Sequence, residues 1–171
     1  MTDEGMTHHA PPVRANVTLP AVEESLAAVH AVIAAVWDQA FDVSDTERML
    51  FETAVVEIAG NVVEHGVAVG ERAGYPVTFT MTVICQHDRI VALFEDDGQP
   101  AVVDLTRVSM PDDLSESGRG LALAQAVLDD LTYERTDGSN RWRLVRLRGR
   151  VDRGHRQAGR HRDGRPLRPG P

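Results

Sequence analysis

The chain has 171 residues, of which 42% are hydrophobic, so it is long and apolar enough for one domain with its own core. Its single cysteine, Cys85, excludes an internal disulfide bond and a cysteine-based metal cluster, and its apolar surroundings in the sequence predict a core residue. The net charge of −8 is unevenly distributed: residues 1–140 carry 24 acidic and 7 basic side chains, whereas residues 141–171 carry 2 acidic and 11 basic ones. The longest apolar stretch, residues 27–37, is too short to cross a bilayer, so we expect a soluble, cytoplasmic protein with no membrane partner.

The first part of the chain predicts one strand and two helices. Residues 1–12 are polar and are expected to form a disordered lead-in. Residues 14–19 alternate in the manner of a short strand, and apolar residues then recur at helical spacing over residues 21–39. Ser44 and Glu47 form a capping-box pattern, which predicts the start of a second helix.

The second helix carries the first candidate site residues and is expected to end at a C-terminal cap formed by Gly66. Glu57 and Asn61 are four residues apart and therefore project from one helical face. Such a pair is common on helices that merely face solvent, but it can also hold a hydroxyl group and a magnesium ion, for which the Asn61 carbonyl oxygen is a suitable ligand. Gly60 is costly in a helix interior, and it favours a site that something must approach closely.

The second part of the chain predicts two hairpins separated by a long polar loop and a helix. Alternating apolar and polar residues indicate the strands, and the Asp-Gly dipeptide at 137–138 indicates a turn. In chain order, the predicted elements are strands 77–85 and 89–95, a loop over 96–117, a helix over 120–130, and strands 131–135 and 141–147.

This order of elements predicts the fold class and the domain organisation. Neighbouring strands joined by hairpins favour an α+β, two-layer sandwich, in which helices pack on one face of a mixed, mostly antiparallel sheet. The domain is expected to span residues 13–148. Residues 149–171 are rich in arginine, glycine and proline and cannot bury enough apolar surface to fold alone, so we expect a disordered tail there.

Two further motifs have the chemistry of a nucleotide site. Asp96 ends a predicted strand, where its carboxylate can accept a hydrogen bond from an exocyclic amine such as N6 of adenine, and Gly98 lets the backbone turn close to a ligand. Gly118 and Gly120 would expose backbone N–H groups at a helix start, which attracts anions, and Arg119 adds a positive charge. Each motif alone is weak, because an Asp-Gly turn and a hinge before a helix are common. In this order and spacing, the three motifs together predict one nucleotide site.

The motifs resemble those of the Bergerat-type (GHKL) ATPase family, over about residues 14–148. Glu57-x-x-x-Asn61-x-x-x-His65-Gly66 resembles its N box, Asp96-x-Gly98 its adenine-binding G1 box, and Gly118-x-Gly120-Leu121 its G2 box. Within that family, the chain is most similar to the bacterial anti-sigma-factor serine/threonine kinases, because the domain is minimal, the lid loop is short and the G2 box reads Ser-Gly-Arg-Gly-Leu.

The resemblance implies an activity and a role for each motif. The protein would bind ATP and Mg²⁺, block a sigma factor, and phosphorylate a serine or threonine of a STAS-type anti-anti-sigma partner. The resemblance also implies a homodimer. Glu57 would orient or deprotonate the substrate hydroxyl, Asn61 would coordinate Mg²⁺, and Asp96 would read adenine with support from Gly98. The phosphates would be held by the G2 box: Gly118, Arg119, Gly120 and Leu121.

Other hypotheses remain open at this point. Gln99-Pro100 stand where many members have a second glycine, and Glu116 stands where some relatives have an arginine. These departures favour an ATP-regulated binding module that sequesters its partner without phosphotransfer. A sensor-kinase catalytic domain is disfavoured because no helical hairpin with a phosphoacceptor histidine precedes the motifs. The tail at 149–171 could contact nucleic acid, but it has no aromatic residues for base stacking, so sequence-specific binding is not expected. His65 is interpreted as a helix-end residue rather than a catalytic one.

Overall fold

The computed structural model describes residues 11–66, 75–101, 105 and 116–149. Within these ranges it has five strands and three helices. They are β1 (Val13–Pro20), α1 (Ser25–Trp37), α2 (Asp45–His65), β2 (Thr78–Cys85), β3 (Arg89–Asp96), α3 (Glu116–Val127), β4 (Asp130–Thr136) and β5 (Ser139–Leu147). Residues 1–10 of the expected lead-in, residues 150–171 of the expected tail and most of the expected 96–117 loop lie outside the described residues.

The strands form one sheet in the order β1-β2-β3-β5-β4, and each of its four pairings is antiparallel. The β4–β5 hairpin turns at Asp137 and Gly138, whose φ angles of 54° and 86° are those of a two-residue type I′ turn. The predicted strands 131–135 and 141–147 left a longer connection, which included residues 137–140. Instead, Ser139 and Asn140 are already paired with β4, because a type I′ turn matches the twist of the flanking strands and needs only two residues.

The helices pack on one face of the sheet, which confirms the predicted two-layer α+β class. Alternate residues of β2, such as Phe79 and Met81, are fully buried and belong to one hydrophobic core with Ile33 of α1 and Ile58 of α2. Cys85 belongs to the same core as predicted, and burial raises the pKa of its thiol. None of the helices in the described ranges has the length and apolarity needed to cross a membrane.

Helix α2 begins as predicted. The Ser44 backbone N–H donates to Glu47 Oε2 at 3.1 Å, and the Glu47 N–H donates to Ser44 Oγ at 3.3 Å, so the capping box is complete. Gly66 is the C-terminal cap, but its φ of −68° is not left-handed. A side chain at Gly66 would collide with the Val62 carbonyl oxygen, so close approach, and not a positive φ, requires glycine there.

The bounds of the other two helices differ from the prediction. Helix α1 starts at Ser25 and not at residue 21, because the Ala21 N–H bonds the Val77 carbonyl and continues the pairing of the sheet. Helix α3 spans Glu116–Val127, whereas residues 120–130 were predicted. It ends early because the Asp129 N–H bonds the Val145 carbonyl at 2.9 Å, which leads the chain into β4. It begins early, so the G2-box glycines lie inside its first turns.

Candidate functional site

The structure brings the first and third motifs into contact. Glu57 and Asn61 are half-buried on α2, and α2 packs against α3. A Cβ atom built at Gly120 would collide with Glu57 Oε2, so the carboxylate lies directly against the backbone of α3 at that glycine. Glycine is therefore required at position 120 for the close approach of the Glu57 side chain.

The first turns of α3 combine an exposed side chain with an anchored one. Arg119 is exposed at the surface, and Gly120 is half-buried beside Glu57. Leu121 is only 8% exposed and belongs to the hydrophobic core, so its side chain fixes α3 by packing. The first N–H groups of a helix have no intrahelical partner and favour anions. Gly118 is the third residue of α3 and lies in this first turn, whereas Gly120 and Leu121 lie beyond it.

No described residue of the protein requires glycine at position 60. A Cβ atom built at Gly60 meets nothing within 4 Å. Its half-buried position lies one turn from Glu57 on α2, but no described side chain approaches it. Packing within the protein therefore does not explain this glycine.

Asp96 closes β3 in a buried position, with 4% of its surface exposed. Its Oδ1 atom accepts hydrogen bonds from the Gly98 N–H at 3.0 Å and from Asn140 Nδ2 at 2.7 Å. Burial raises the pKa of Asp96, and these two bonds oppose that shift. A Cβ atom at Gly98 would lie 3.0 Å from Asp96 Oδ1 and 3.3 Å from Val77 Cγ2, so the turn has little room for any other residue.

Helix α2 lies between the Asp96–Gly98 turn and Gly120 of α3. At its C-terminal end, a Cβ atom at Gly66 would lie 3.5 Å from Val77 Cβ, and Val77 also lines Gly98. Glu57 and Gly120 meet about 14 Å earlier along the helix, at 1.5 Å per residue. The Asp96–Gly98 turn therefore lies near the C-terminal end of α2, and the contact between Glu57 and Gly120 lies nearer the middle of this helix.

Three residues that sequence reasoning missed support Asp96 and the turn that follows it. Asn140, Tyr133 and Arg135 of the β4–β5 hairpin form hydrogen bonds around Asp96 and the turn that follows it. The local sequence contains no signal for them, because Asn140 had been interpreted as a turn residue. Only the β3–β5 register, which pairs Asp96 with Asn140, reveals the connection.

The remaining motif residues, Asp97 and His65, contact other groups of the protein. Asp97 Oδ1 accepts the Thr78 N–H at 2.8 Å, which fixes the start of β2. His65 lies in the last turn of α2 with its Nε2 atom 3.8 Å from Glu64 Oε2. A basic side chain at that end interacts favourably with the helix dipole. The position agrees with the interpretation of His65 as a helix-end residue.

The donor set fits Mg²⁺ bound chiefly by phosphates. Glu57 and Asn61 offer hard oxygen atoms on one helical face. No cluster of three or more histidine, cysteine, aspartate or glutamate side chains suited to a metal occurs in the part of the chain that the structure describes. Mg²⁺ usually takes one or two protein ligands together with water and substrate phosphates, so such a cluster is not needed.

Comparisons with known proteins agree with this geometry. Residues 19–146 match the model of the histidine kinase-like ATPase domain, and the chain belongs to that family. A crystal structure of the RsbU and RsbW domains of Rv1364c from Mycobacterium tuberculosis resembles it with a TM-score of 0.52 and 20% sequence identity, over 81% of this chain and 32% of the other. The chain thus spans about a third of that protein, and the likeness concerns the fold. A search of curated protein sequences finds no significant match. The predicted family and the Bergerat-type fold are confirmed.

Proposed function

We propose that this protein is an anti-sigma factor with ATP-dependent serine/threonine kinase activity, which holds a sigma factor and phosphorylates a STAS-type anti-anti-sigma partner. One observation carries the proposal: the Glu57 carboxylate lies against Gly120, where the α3 backbone would cradle phosphates. A potential base and a phosphate site are adjacent, as phosphoryl transfer requires. ATP and sigma factors are cytoplasmic molecules, so the proposal implies a cytoplasmic protein.

ATP recognition would begin at the buried end of β3. Asp96 offers a carboxylate whose Oδ1 atom is already bonded, and adenine N6 is a donor that suits the remaining acceptor capacity. Gly98 keeps the backbone clear beside it. The phosphates would then extend along α2 towards the N-terminal turns of α3, where Arg119 adds positive charge.

Phosphoryl transfer would depend on positioning more than on covalent chemistry. Asn61 would ligate Mg²⁺, which neutralises charge on the phosphates when bound. Glu57 would accept a hydrogen bond from the partner's serine or threonine hydroxyl and orient it towards the terminal phosphate. The half-buried position of Glu57 against Gly120 restricts its side chain, which lowers the entropy cost of this alignment.

The decisive experiment measures ATP binding and phosphate transfer separately. The purified protein is incubated with Mg²⁺, labelled ATP and candidate STAS-domain partners, as wild type and as Glu57→Ala. Both forms should bind ATP, and only the wild type should label the partner. The matched control is Glu52→Ala, because Glu52 lies on the same helix but faces α1, where it bonds His30 at 2.8 Å. Glu52→Ala should transfer phosphate normally, and a failure of the wild type to bind ATP would reject the proposal.

A second candidate function is an ATP-regulated binding module that sequesters a sigma factor without phosphotransfer. It is favoured by Gln99-Pro100, because the Gln99 carbonyl is held by Asn140 at 2.7 Å, and this contact restrains the turn next to the base site. ATP binding without transfer to any cognate partner would favour this module. The homodimer implied by the resemblance can be tested in the same preparations by light scattering.

A further inference from the structure

The side chain of Asn140 is 3% exposed and uses its full hydrogen-bonding capacity. Its Nδ2 atom donates to Asp96 Oδ1 and to the Gln99 carbonyl, both at 2.7 Å. Its Oδ1 atom accepts from Tyr133 Oη at 2.8 Å and from Arg135 Nη1 at 2.7 Å. A flipped amide would face acceptors with its oxygen and donors with its nitrogen, so these partners fix one orientation.

Tyr133 and Arg135 also bond the turn that follows Asp96. The Ala101 N–H donates to Tyr133 Oη at 2.9 Å, and Arg135 Nη1 donates to the Gly98 carbonyl at 3.0 Å. Together with the Asn140 bond to Gln99, three side chains of one hairpin hold three backbone groups of the turn. The turn is therefore fixed by the hairpin although its sequence lacks a second glycine.

The network also determines which oxygen of Asp96 is available. Both described hydrogen bonds to the carboxylate are accepted by Oδ1, and within the described residues Oδ2 accepts none. Rotation of the carboxylate would break the bonds from Asn140 and Gly98. Oδ2 is therefore held in one direction as a hydrogen-bond acceptor. It can accept a hydrogen bond from an exocyclic amine, whereas an oxo group is itself an acceptor and cannot donate one.

We propose that Asn140 is a positioning residue for nucleotide recognition, which, with Tyr133 and Arg135, holds Asp96 so that the site accepts a 6-amino purine and rejects a 6-oxo purine. This inference rests on the proposed ATP site. Asn140 need not touch the nucleotide; it acts through Asp96 and through the turn at Gly98.

The test compares affinities for ATP and ITP, because their bases differ at position 6, where an amine is replaced by an oxo group. Isothermal titration calorimetry gives both dissociation constants for wild type, Asn140→Leu and the control Arg141→Ala. Arg141 is the next residue of β5 and points to the opposite face, where it contacts Glu95 at 3.4 Å. The wild type should prefer ATP. Asn140→Leu should lower ATP affinity by about tenfold or more and bring the ATP-to-ITP ratio towards one, whereas Arg141→Ala should change neither.

A merely structural role would weaken both nucleotides equally and leave the ratio unchanged, and that result would overturn the inference. Tyr133→Phe, which removes one hydroxyl but keeps the Asn140–Asp96 bond, should weaken ATP binding less and retain most of the preference. If Asn140→Leu does not fold, Asn140→Thr supports the same comparison, and an unchanged ratio again contradicts the role. A wild type that binds ATP and ITP equally overturns the inference alone, whereas a wild type that binds neither overturns the proposed ATP site as well.

Discussion

At the scale of single residues, two glycines of the site region have opposite surroundings. Gly120 has no room for a side chain, because Glu57 Oε2 occupies the position that a Cβ atom would take. Gly60 has open space around the same position, although it also lies in a helix. The residue type alone does not distinguish them, since glycine disfavours a helix interior equally in both places.

We therefore expect opposite results from the same substitution. Gly120→Ala should displace Glu57 or α3 and reduce phosphate transfer by tenfold or more, because small misplacements at a reacting centre have large effects on rate. Gly60→Ala should raise the free energy of unfolding by about 0.5–1 kcal/mol, because alanine favours the helix and meets no neighbour. Urea denaturation and the labelled-ATP assay measure the two effects. A destabilised Gly60→Ala would contradict the described surroundings, and full transfer by Gly120→Ala would contradict the role of the contact.

At Asp96, the contribution of one carboxylate to folding stability can be measured separately from its contribution to ATP binding. Burial raises the pKa of Asp96 above its unfolded value, so the folded state binds the proton more tightly. Stability from this group is therefore greatest at low pH, falls as the pH rises from about 4 through the folded pKa, and is constant above it. Asp96→Asn keeps the acceptor for Asn140 Nδ2 and removes the buried charge.

Asp96→Asn should consequently be at least as stable as wild type at pH 7, with a stability difference that disappears as the pH falls towards 4. Its ATP affinity should fall by about 10- to 100-fold, since a hydrogen bond to a charged group contributes about 1.5–3 kcal/mol. Urea denaturation between pH 4 and pH 8 and calorimetry with ATP measure both quantities. Lower stability at pH 7 together with normal ATP binding would show that Asp96 has a structural role only.

At the scale of elements, one arginine joins the end of β5 to the start of α2. Arg148 Nη2 lies 2.7 Å from Asp42 Oδ2 and bonds the Asp42 carbonyl at 2.9 Å, while Nη1 bonds the Gln86 carbonyl at 2.7 Å. The next residue, Gly149, donates its N–H to Glu47 Oε1 at 2.9 Å, so the capping residue of α2 also binds the chain end of the sheet. This contact lies at the opposite end of α2 from the nucleotide motifs.

Arg148→Ala should lower the free energy of unfolding by about 1–3 kcal/mol, because its side chain is 10% exposed and its loss leaves carbonyl groups without their donor. Arg141→Ala should cost less than about 1 kcal/mol, because its ion pair with Glu95 is exposed at 3.4 Å. The Asp42 pKa is lowered, chiefly by its hydrogen bond from Arg148. The stability from that bond is therefore present above about pH 4 and is lost as the pH falls through the lowered pKa. Equal costs for the two substitutions in urea would contradict this assignment.

At the scale of the whole molecule, the arginine-rich tail can be tested as a dispensable segment. Deleting residues 150–171 removes seven arginines and two aspartates and changes the net charge from −8 to −13. The domain should keep its unfolding temperature and its ATP affinity, because the last described strand ends at Leu147 and the Arg148 and Gly149 contacts remain. Partner affinity should also be unchanged at 150 mM salt. A large loss of partner affinity that depends on salt would show that the tail binds an acidic surface.

The sequence by itself determined the features that depend on neighbours within a few residues. The capping box of α2 needs only Ser44 and Glu47, and the alternation of each strand is a local pattern, so these were predicted correctly. The family was also predicted from the local spacing of three motifs, and the match over residues 19–146 confirms it. The tertiary structure alone decided where α3 begins and ends, that Glu57 meets Gly120, and that Asn140 holds Asp96 across 44 positions of the chain. These features depend on helix packing and strand register, which bring distant residues together through the burial of the whole core and leave no local pattern in the sequence.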